Sequence, residues 1–383
     1  MIKQNFAEQQ RIAGIARGEV IVGPQTVHFD LANGCNTNCV TCWDHSPLLW
    51  NQRTPEWKRV KMELECFERV AAEINSMNSV RSVILSGMGD PFVHPQVYEM
   101  IETVKGYGWH TTLLTNALLA DPDKILDLGV DSMLISVNGV SPESYCRFHP
   151  NLEPSDFARL QEILSAFACA GKRFKHVQVI NRDTAGELVE MVRFAHDYRA
   201  ASITYKLASL SQGTEECAIT EEQRGMLLDE LVPQAETLAR ELGIMTNLEV
   251  FRIQLEAGGR ATAPIAEIGC FMGWYYARIT ADGRILLCCS TEVEVGHVEQ
   301  GTFSLQWFGA QWNERRTRLM SGRYFPGCAQ CGKVNQNVKI GAKVKEALGE
   351  SIYYLRTGRD AAGKLLHPMR KLPVIQQRPE AAT

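Results

Sequence analysis

A chain of 383 residues, 45% of them hydrophobic, can bury a sizeable core in one large domain or two modest ones, and a net charge of −4 implies no general affinity for nucleic acid or other polyanions. No apolar run approaches the roughly 20 residues that span a bilayer, and Met1–Gln10 lacks a signal-peptide core, so a cytoplasmic protein without a membrane partner is expected. Twelve cysteines in that setting read as metal ligands or reactive thiols rather than disulfides.

In chain order, residues 1–25 read as a short helix and a turn ending at Gly23-Pro24, a lid or packing extension too short for a binding domain of its own. From Thr26 the pattern alternates. Strands are predicted at Val27–Leu31, Val80–Leu85, Thr111–Thr115, Met133–Val137, Val177–Ile180 and Ile203–Lys206. Between them lie helices at Glu63–Met77, Pro95–Tyr107, Pro122–Leu128, Pro154–Ala170 and Gly186–Tyr198. Leu64, Phe67, Val70, Ala71 and Ile74 mark the apolar face of the first. Repeated βα units imply parallel strands, closed into a barrel or wound into an open sheet. A helix follows over Thr220–Leu242, where Thr220 and Gln223 can form a capping box. The small residues Gly258–Pro264 suggest a boundary. Tyr276–Thr280 and Arg284–Leu287 alternate around Ala281-Asp282-Gly283 as a β-hairpin. The basic tail carries a helix near Ile340–Leu355 and frays after Pro373.

Two cysteine sets stand out. Cys35, Cys39 and Cys42 are spaced C-x3-C-x2-C in a loop that leaves the first strand through Gly34. Iron–sulfur clusters normally take four thiolates, so three on one loop leave one iron open for another ligand. Zinc is the alternative, with His45 as an available fourth ligand. Farther on, Cys270 is followed after twelve residues by Gly283, after four more by Cys288, and after a 39-residue gap by Cys328-Ala329-Gln330-Cys331. These four thiols suit one closed site, which zinc could also fill on spacing alone.

The first set resembles that of the radical S-adenosylmethionine (radical SAM) superfamily, and the second its C-terminal SPASM/twitch auxiliary domain. The resemblance covers roughly residues 26–332. It implies an α/β fold: a partial (β/α)6 TIM-like barrel followed by a small twitch domain with a β-hairpin and a helix. The division expected is an extension over 1–25, barrel and linking helix over 26–257, twitch domain over 258–335, and helix and tail over 336–383. The implied cofactors are SAM and two 4Fe-4S clusters. Cys35, Cys39 and Cys42 would hold the SAM-binding cluster, and Cys270, Cys288, Cys328 and Cys331 the auxiliary one. Where a full SPASM domain continues with further cysteines, this chain has Asn337 and Gly341, which points to the shorter twitch form with one auxiliary cluster. Cys289 has no assigned role.

By the same resemblance, Ser86-Gly87-Met88-Gly89-Asp90-Pro91 is similar to the loop that holds the SAM amino group. Gly87 and Gly89 would permit close backbone approach and Asp90 would accept the ammonium. Ser136, Asn138, Asn181 and Arg182 occupy strand ends where SAM ribose, adenine or carboxylate contacts are expected. Thr115, Asn116, Tyr205 and Lys206 are further rim candidates. The aromatic residue usually found just before the third cysteine is Thr41 here, and Trp43 follows Cys42 instead. Cys146 and Cys217 come after strands four and six and could return a hydrogen atom to a substrate radical. Cys66 and Cys169 read as core.

The implied activity is hydrogen abstraction from a small polar substrate such as a sugar, cyclitol or nucleoside, with oxidation of an alcohol carbon expected first. Epimerisation and ribosomal-peptide modification are the alternatives, and a non-catalytic electron-transfer protein a different class again. The expected partners are a small-molecule or peptide substrate and a flavodoxin or ferredoxin-type reductant.

Overall fold

The computed structural model describes residues 2–256, 265–289 and 292–366. Its frame is set by strands whose side chains alternate between two faces. In β1 (Thr26–Ala32) the apolar Val27, Phe29 and Leu31 alternate with His28 and Asp30. Phe29 meets Phe67 edge to face at 4.8 Å, on a helix (Leu64–Ser76) that buries Phe67, Val70, Ala71 and Ile74. The apolar face of β1 therefore looks out to the helices, and the polar face looks in.

Strands β1, β2 (Ser82–Gly87), β3 (His110–Thr115), β4 (Ser132–Ser136), β5 (Lys175–Ile180) and β6 (Ser202–Leu207) lie side by side in sequence order, all parallel. This is the expected α/β arrangement, with its six strands displaced by no more than two residues from the predicted positions. The sheet then continues past β1. β7 (Tyr276–Ile279) pairs with β1 in parallel, and β8 (Arg284–Leu286) and β9 (Glu294–His297) follow antiparallel. The predicted hairpin is β7–β8; Gly283 sits in its turn at a φ of +85°, where a Cβ would be strained. The auxiliary segment thus extends the main sheet instead of forming one of its own. The boundary placed at Gly258–Pro264 and the fraying after Pro373 lie outside the described residues.

Two long helices depart from a single run. Thr220 and Gln223 do form the capping box, but after Glu221–Met226 the backbone widens to a π turn at Leu227–Leu231 before continuing as Val232–Glu241. Pro233 lacks an N–H and crowds the preceding turn, and a widened turn relieves that conflict. Near the C-terminus, Gly349 at φ +83° splits the expected helix into Val334–Leu348 and Glu350–Arg356.

The N-terminal helix Ile2–Arg17 packs against the auxiliary end of the chain. Trp274 Nε1 donates to Glu19 O (2.7 Å), Tyr275 Oη to Glu8 Oε1 (3.2 Å) and Arg356 Nη2 to Ala16 O (2.7 Å). Arg11 donates to Gly23 O and Ser79 O from a buried position. Deeper in the auxiliary end, Arg316 is buried over Trp307 and Trp312, 4.5 and 5.2 Å from their rings. It donates to Gly273 O, Trp307 O and Asn313 Oδ1 at 2.7–2.8 Å. A guanidinium so placed is stable only with those acceptors. Arg316→Ala should lower unfolding stability by roughly 2–4 kcal/mol, read from the denaturant midpoint; an unchanged midpoint would remove Arg316 as the anchor of this region.

Candidate active site and auxiliary metal centre

The cysteine loop leaves the C-terminal end of β1 and is fastened at its base by backbone. Gly89 N donates to Ala32 O (3.2 Å) and Asp90 N to Gly34 O (3.1 Å). A Cβ on Gly89 would fall 1.7 Å from Gly34 O, and one on Gly87 2.2 Å from Ala32 O. Both glycines are therefore demanded by the contact between two loops of the chain itself. Higher up, Asn36 and Asn116 exchange amide bonds (2.8 and 3.3 Å), and Asn151 binds Asn38 N and Asn36 O.

Within the loop, Thr37 Oγ1 lies 3.4 Å from Cys35 Sγ and 3.5 Å from Cys39 Sγ, and His45 N donates to Cys42 Sγ (3.3 Å). Burial pushes Cys35 and Cys39 up and Cys42 up to about 11, and the neighbouring thiols push Cys39 and Cys42 a little further in the same direction. Buried thiols of this kind stay protonated at neutral pH until a metal displaces the proton. The His45 imidazole Nε2 is engaged by Asn33 O (2.8 Å).

Asp90 is buried, and its carboxylate is largely taken. Oδ1 accepts from Phe92 N (2.9 Å), and Oδ2 from Thr115 Oγ1 (2.7 Å) and Asn116 N (2.8 Å). It therefore ties the ends of β2 and β3 together, with one donor on Oδ1 and two on Oδ2. Asn138 at φ +56° is turned back to Val179 N, and Asn181 Oδ1 closes its own turn onto Asp183 and Thr184. The Nδ2 of Asn181 is buried without a partner. Ser136 is half-buried at the end of β4 and Arg182 is exposed. Trp43, half exposed, donates from Nε1 to Ser209 O (2.6 Å), bridging the loop to the region after β6. Tyr205 faces outward, its hydroxyl on Leu188 O.

The two thiols proposed as hydrogen donors are not brought to one place. Cys217 is buried in an apolar cluster with Val40 and Phe148, its Sγ 3.9 Å from Val40 O. Cys146 lies beside Glu143, Glu153 and Asp156 where helices Pro142–Phe148 and Pro154–Cys169 meet. Apolar packing faces fixed those orientations, and loop position in the sequence could not show them.

Cys270, Cys288, Cys328 and Cys331 line one small cavity with Ile265, Met272, Leu287 and Leu319. Burial pushes Cys270, Cys328 and Cys331 up, Cys328 to about 11. Four thiols in an otherwise apolar wall fit a fully thiolate-ligated iron–sulfur cluster. Asn337 Oδ1 is fixed by Phe271 N (2.8 Å), and its buried amide stands beside Cys270 and Cys331. Among the described residues no three His, Cys, Asp or Glu side chains are grouped closely enough to hold a single ion.

Between the two cysteine sets the inner face of the sheet carries a polar wall. The His28 ring bridges Tyr276 Oη (2.6 Å) and Ser86 Oγ (2.5 Å). Arg278 pairs with buried Asp30 at 2.8 Å, places Nη2 3.4 Å from Met88 Sδ, and donates from Nη1 to Cys289 O (3.4 Å). Burial first, then Arg278 and Lys333, hold His28 well below its usual range, hence neutral. These residues were not singled out from the sequence. The signal was present in Thr26-Val27-His28-Phe29-Asp30-Leu31, where polar residues recur every second position in an apolar strand. A larger cleft lined by Lys172, Arg173, His196 and Arg199 sits by the N-terminal ends of β5 and β6, away from both sets.

Anaerobic reconstitution should load about eight irons per chain. Replacing Cys35, Cys39 and Cys42 together by Ala should remove about half of that iron and all SAM cleavage; zinc in the Cys270 set after anaerobic isolation would defeat the auxiliary assignment. Asp90→Ala should weaken SAM binding by roughly 1.5–3 kcal/mol while the iron is retained, and an unchanged SAM titration would remove Asp90 from the cofactor site.

Residues 30–195 match the Radical SAM superfamily, and residues 270–332 match the SPASM iron–sulfur cluster-binding domain. The AdoMet-dependent heme synthase of Methanosarcina barkeri is 21% identical over 301 residues, spanning 75% of this chain and 83% of that protein. SuiB of Streptococcus suis bound to S-adenosylmethionine superimposes with a TM-score of 0.60 at 16% identity, over 93% of this chain and 81% of its own. The anSMEcpe structure with bound AdoMet and Cp18Cys peptide gives 0.60 at 13%, over 82% and 88%. At these identities the structural likeness shows the fold. No helix among the described residues is long and apolar enough to cross a membrane. The chain belongs to the radical SAM enzymes with a C-terminal SPASM-type iron–sulfur domain, and its cofactors are S-adenosylmethionine, a SAM-binding 4Fe-4S cluster and an auxiliary iron–sulfur cluster.

Proposed function

We propose that this enzyme oxidises a small polar substrate at an alcohol carbon, with the auxiliary site as the electron acceptor. When bound, the cofactors supply reductive cleavage of SAM to a hydrogen-abstracting 5'-deoxyadenosyl radical and a one-electron sink. Overall the substrate gives up a hydrogen atom, a proton and an electron, so the alcohol becomes a carbonyl. The observation that carries this reading is the position of β1, paired with the Gly-Met-Gly-Asp strand on one edge and with the auxiliary hairpin on the other. Both cysteine sets thereby border one polar wall.

Cys35, Cys39 and Cys42 are assigned to the SAM-binding cluster, and Cys270, Cys288, Cys328 and Cys331 to the auxiliary one. Asp90 and the backbone of Gly87 and Gly89 shape the ammonium site. Ser136, Asn138, Asn181 and Arg182 are assigned to the rest of SAM, with Trp43 beside the adenine. The Ser86–His28–Tyr276 chain offers three groups that each donate and accept, a route for the proton. A flavodoxin or ferredoxin-type protein is the proposed reductant, and the segments 26–257 and 258–335 are the proposed functional units.

The second reading is hydrogen return by a thiol, which would give epimerisation. What favours it is Cys289, within electrostatic reach of Asp30, Arg278, Tyr276 and Lys206 at the polar wall. Cys217 and Cys146 are placed less well for it. A peptide substrate, as carried by SuiB with precursor peptide SuiA, is tested by the same assays.

Cys328→Ala should uncouple the reaction, leaving SAM cleavage but no oxidised product. In deuterium oxide, a returning thiol would place deuterium on the product carbon. Deuterium in the product, lost in Cys289→Ala, would replace oxidation by epimerisation.

A further inference from the structure

Beside the auxiliary cavity sits one polar group that the four thiols do not account for. Asn337 closes the first turn of the helix Val334–Leu348, with its backbone N on Lys333 O (2.9 Å), and its side chain is fully buried. Its Oδ1 accepts from Phe271 N at 2.8 Å, and Phe271 directly follows Cys270. The amide cannot be turned round, because Nδ2 in that place would set one donor against another. Nδ2 therefore points away from Phe271 N, and it is buried with no acceptor. Its neighbours there are the thiols of Cys270 and Cys331, whose ionisation the amide eases.

A buried amide donor left unmade is costly, so its retention calls for an acceptor. The side chains that line the cavity with the thiols are Ile265, Met272, Leu287 and Leu319, none of them a strong acceptor. A protonated thiol is a weak one as well. A thiolate on iron carries negative charge and accepts strongly. The helix is also clamped where it passes the cavity. A Cβ on Gly341, one turn on, would already stand 3.1 Å from Tyr353 Cε2 and 3.6 Å from Phe271 Cε2. Tyr353 Oη is in turn anchored on Ile268 O at 2.5 Å. Asn337 is thus held in place before any metal arrives.

We propose that Asn337 is a positioning residue of the auxiliary centre: its amide donates to the Cys270 and Cys331 sulfurs when the cluster is bound, and raises the reduction potential of that cluster. Through Phe271 and its own helix, Asn337 also holds the first and last ligands of the set in register. Hydrogen bonds to the sulfurs are one of the determinants of a cluster's potential. One-electron reduction adds a negative charge without making or breaking a bond, so a fixed donor favours the reduced form over the oxidised one. The donor is neutral, so it does this at any pH. The bond itself rests on the four-thiol assignment. Its use, to make the cluster a ready acceptor of the substrate's electron, rests on the proposed oxidation.

The test uses the full chain, produced with asparagine carrying 15N in the side-chain amide and reconstituted anaerobically with iron and sulfide. The auxiliary signal is the one that persists when Cys35, Cys39 and Cys42 are replaced together by Ala. Electron–nuclear double resonance of the reduced auxiliary cluster should show a 15N coupling, absent in Asn337→Leu. In an EPR-monitored titration, Asn337→Leu should move the midpoint to more negative potential, lowering the reduced-to-oxidised ratio at the wild-type midpoint about fivefold. The SAM-binding cluster should keep its potential. Asn337→Asp retains an acceptor for Phe271 N and should load as much iron as the wild type while losing the coupling. If Asn337→Leu fails to load the auxiliary cluster, the wild-type coupling and its loss in Asn337→Asp decide the question. No 15N coupling in the wild type, or an unchanged midpoint in a fully loaded Asn337→Leu, overturns the proposal. Deuterium returned to the product carbon would refute the oxidation and leave the Asn337 bond standing. Oxidised product from a wild type without the coupling would do the reverse.

Discussion

The arrangement depends on β1 having parallel partners on both edges, β2 through its whole length and β7 along Thr26–Phe29. A strand whose backbone is satisfied on both sides cannot slip without breaking two ladders. Its loop carries the first cysteine set, its neighbour on one side carries the Gly-Met-Gly-Asp turn, and its neighbour on the other carries the hairpin that ends in Cys288. The distance between the two donor sets is thus set by sheet geometry, not by a linker. Transfer of an electron between a substrate and an auxiliary cluster requires that kind of rigid spacing.

A second constraint is the backbone contact at the base of the cysteine loop. Gly87 and Gly89 admit Ala32 and Gly34 so closely that no side chain fits. Asp90 then spends three acceptor positions joining β2 to β3. The loop that would hold SAM is accordingly pre-organised before any cofactor arrives, which lowers the entropy lost on binding. A carboxylate used this way carries less free capacity for the ligand than its sequence position suggests.

Charge follows the same logic. Polar residues on the inner face come at every second position of β1 and β7, with Ser82 and Ser86 on β2, and the sheet gathers them into one wall. Within it, His28 is held neutral and Asp30 is matched by Arg278. Local sign, and not net charge, governs what enters such a lumen.

The sequence by itself determined what depends on near neighbours along the chain. The spacing of Cys35, Cys39 and Cys42, the Cys270–Cys288 and Cys328–Cys331 pattern, the alternation of βα units, the Thr220–Gln223 cap and the hairpin turn at Gly283 were all legible, because each is a covalent spacing or a local backbone preference. Tertiary structure decided what depends on residues distant in the chain. Nothing local shows that β7 joins β1, that Asp90 faces Thr115 and Asn116, or that Gly89 lies under Gly34. Cys217 and Cys146 share the label of loop cysteine, yet packing sends one beneath the cysteine loop and the other among acidic side chains. Side-chain orientation toward a shared interior is a property of packing, and a one-dimensional pattern carries it only where a strand alternates as plainly as β1 does.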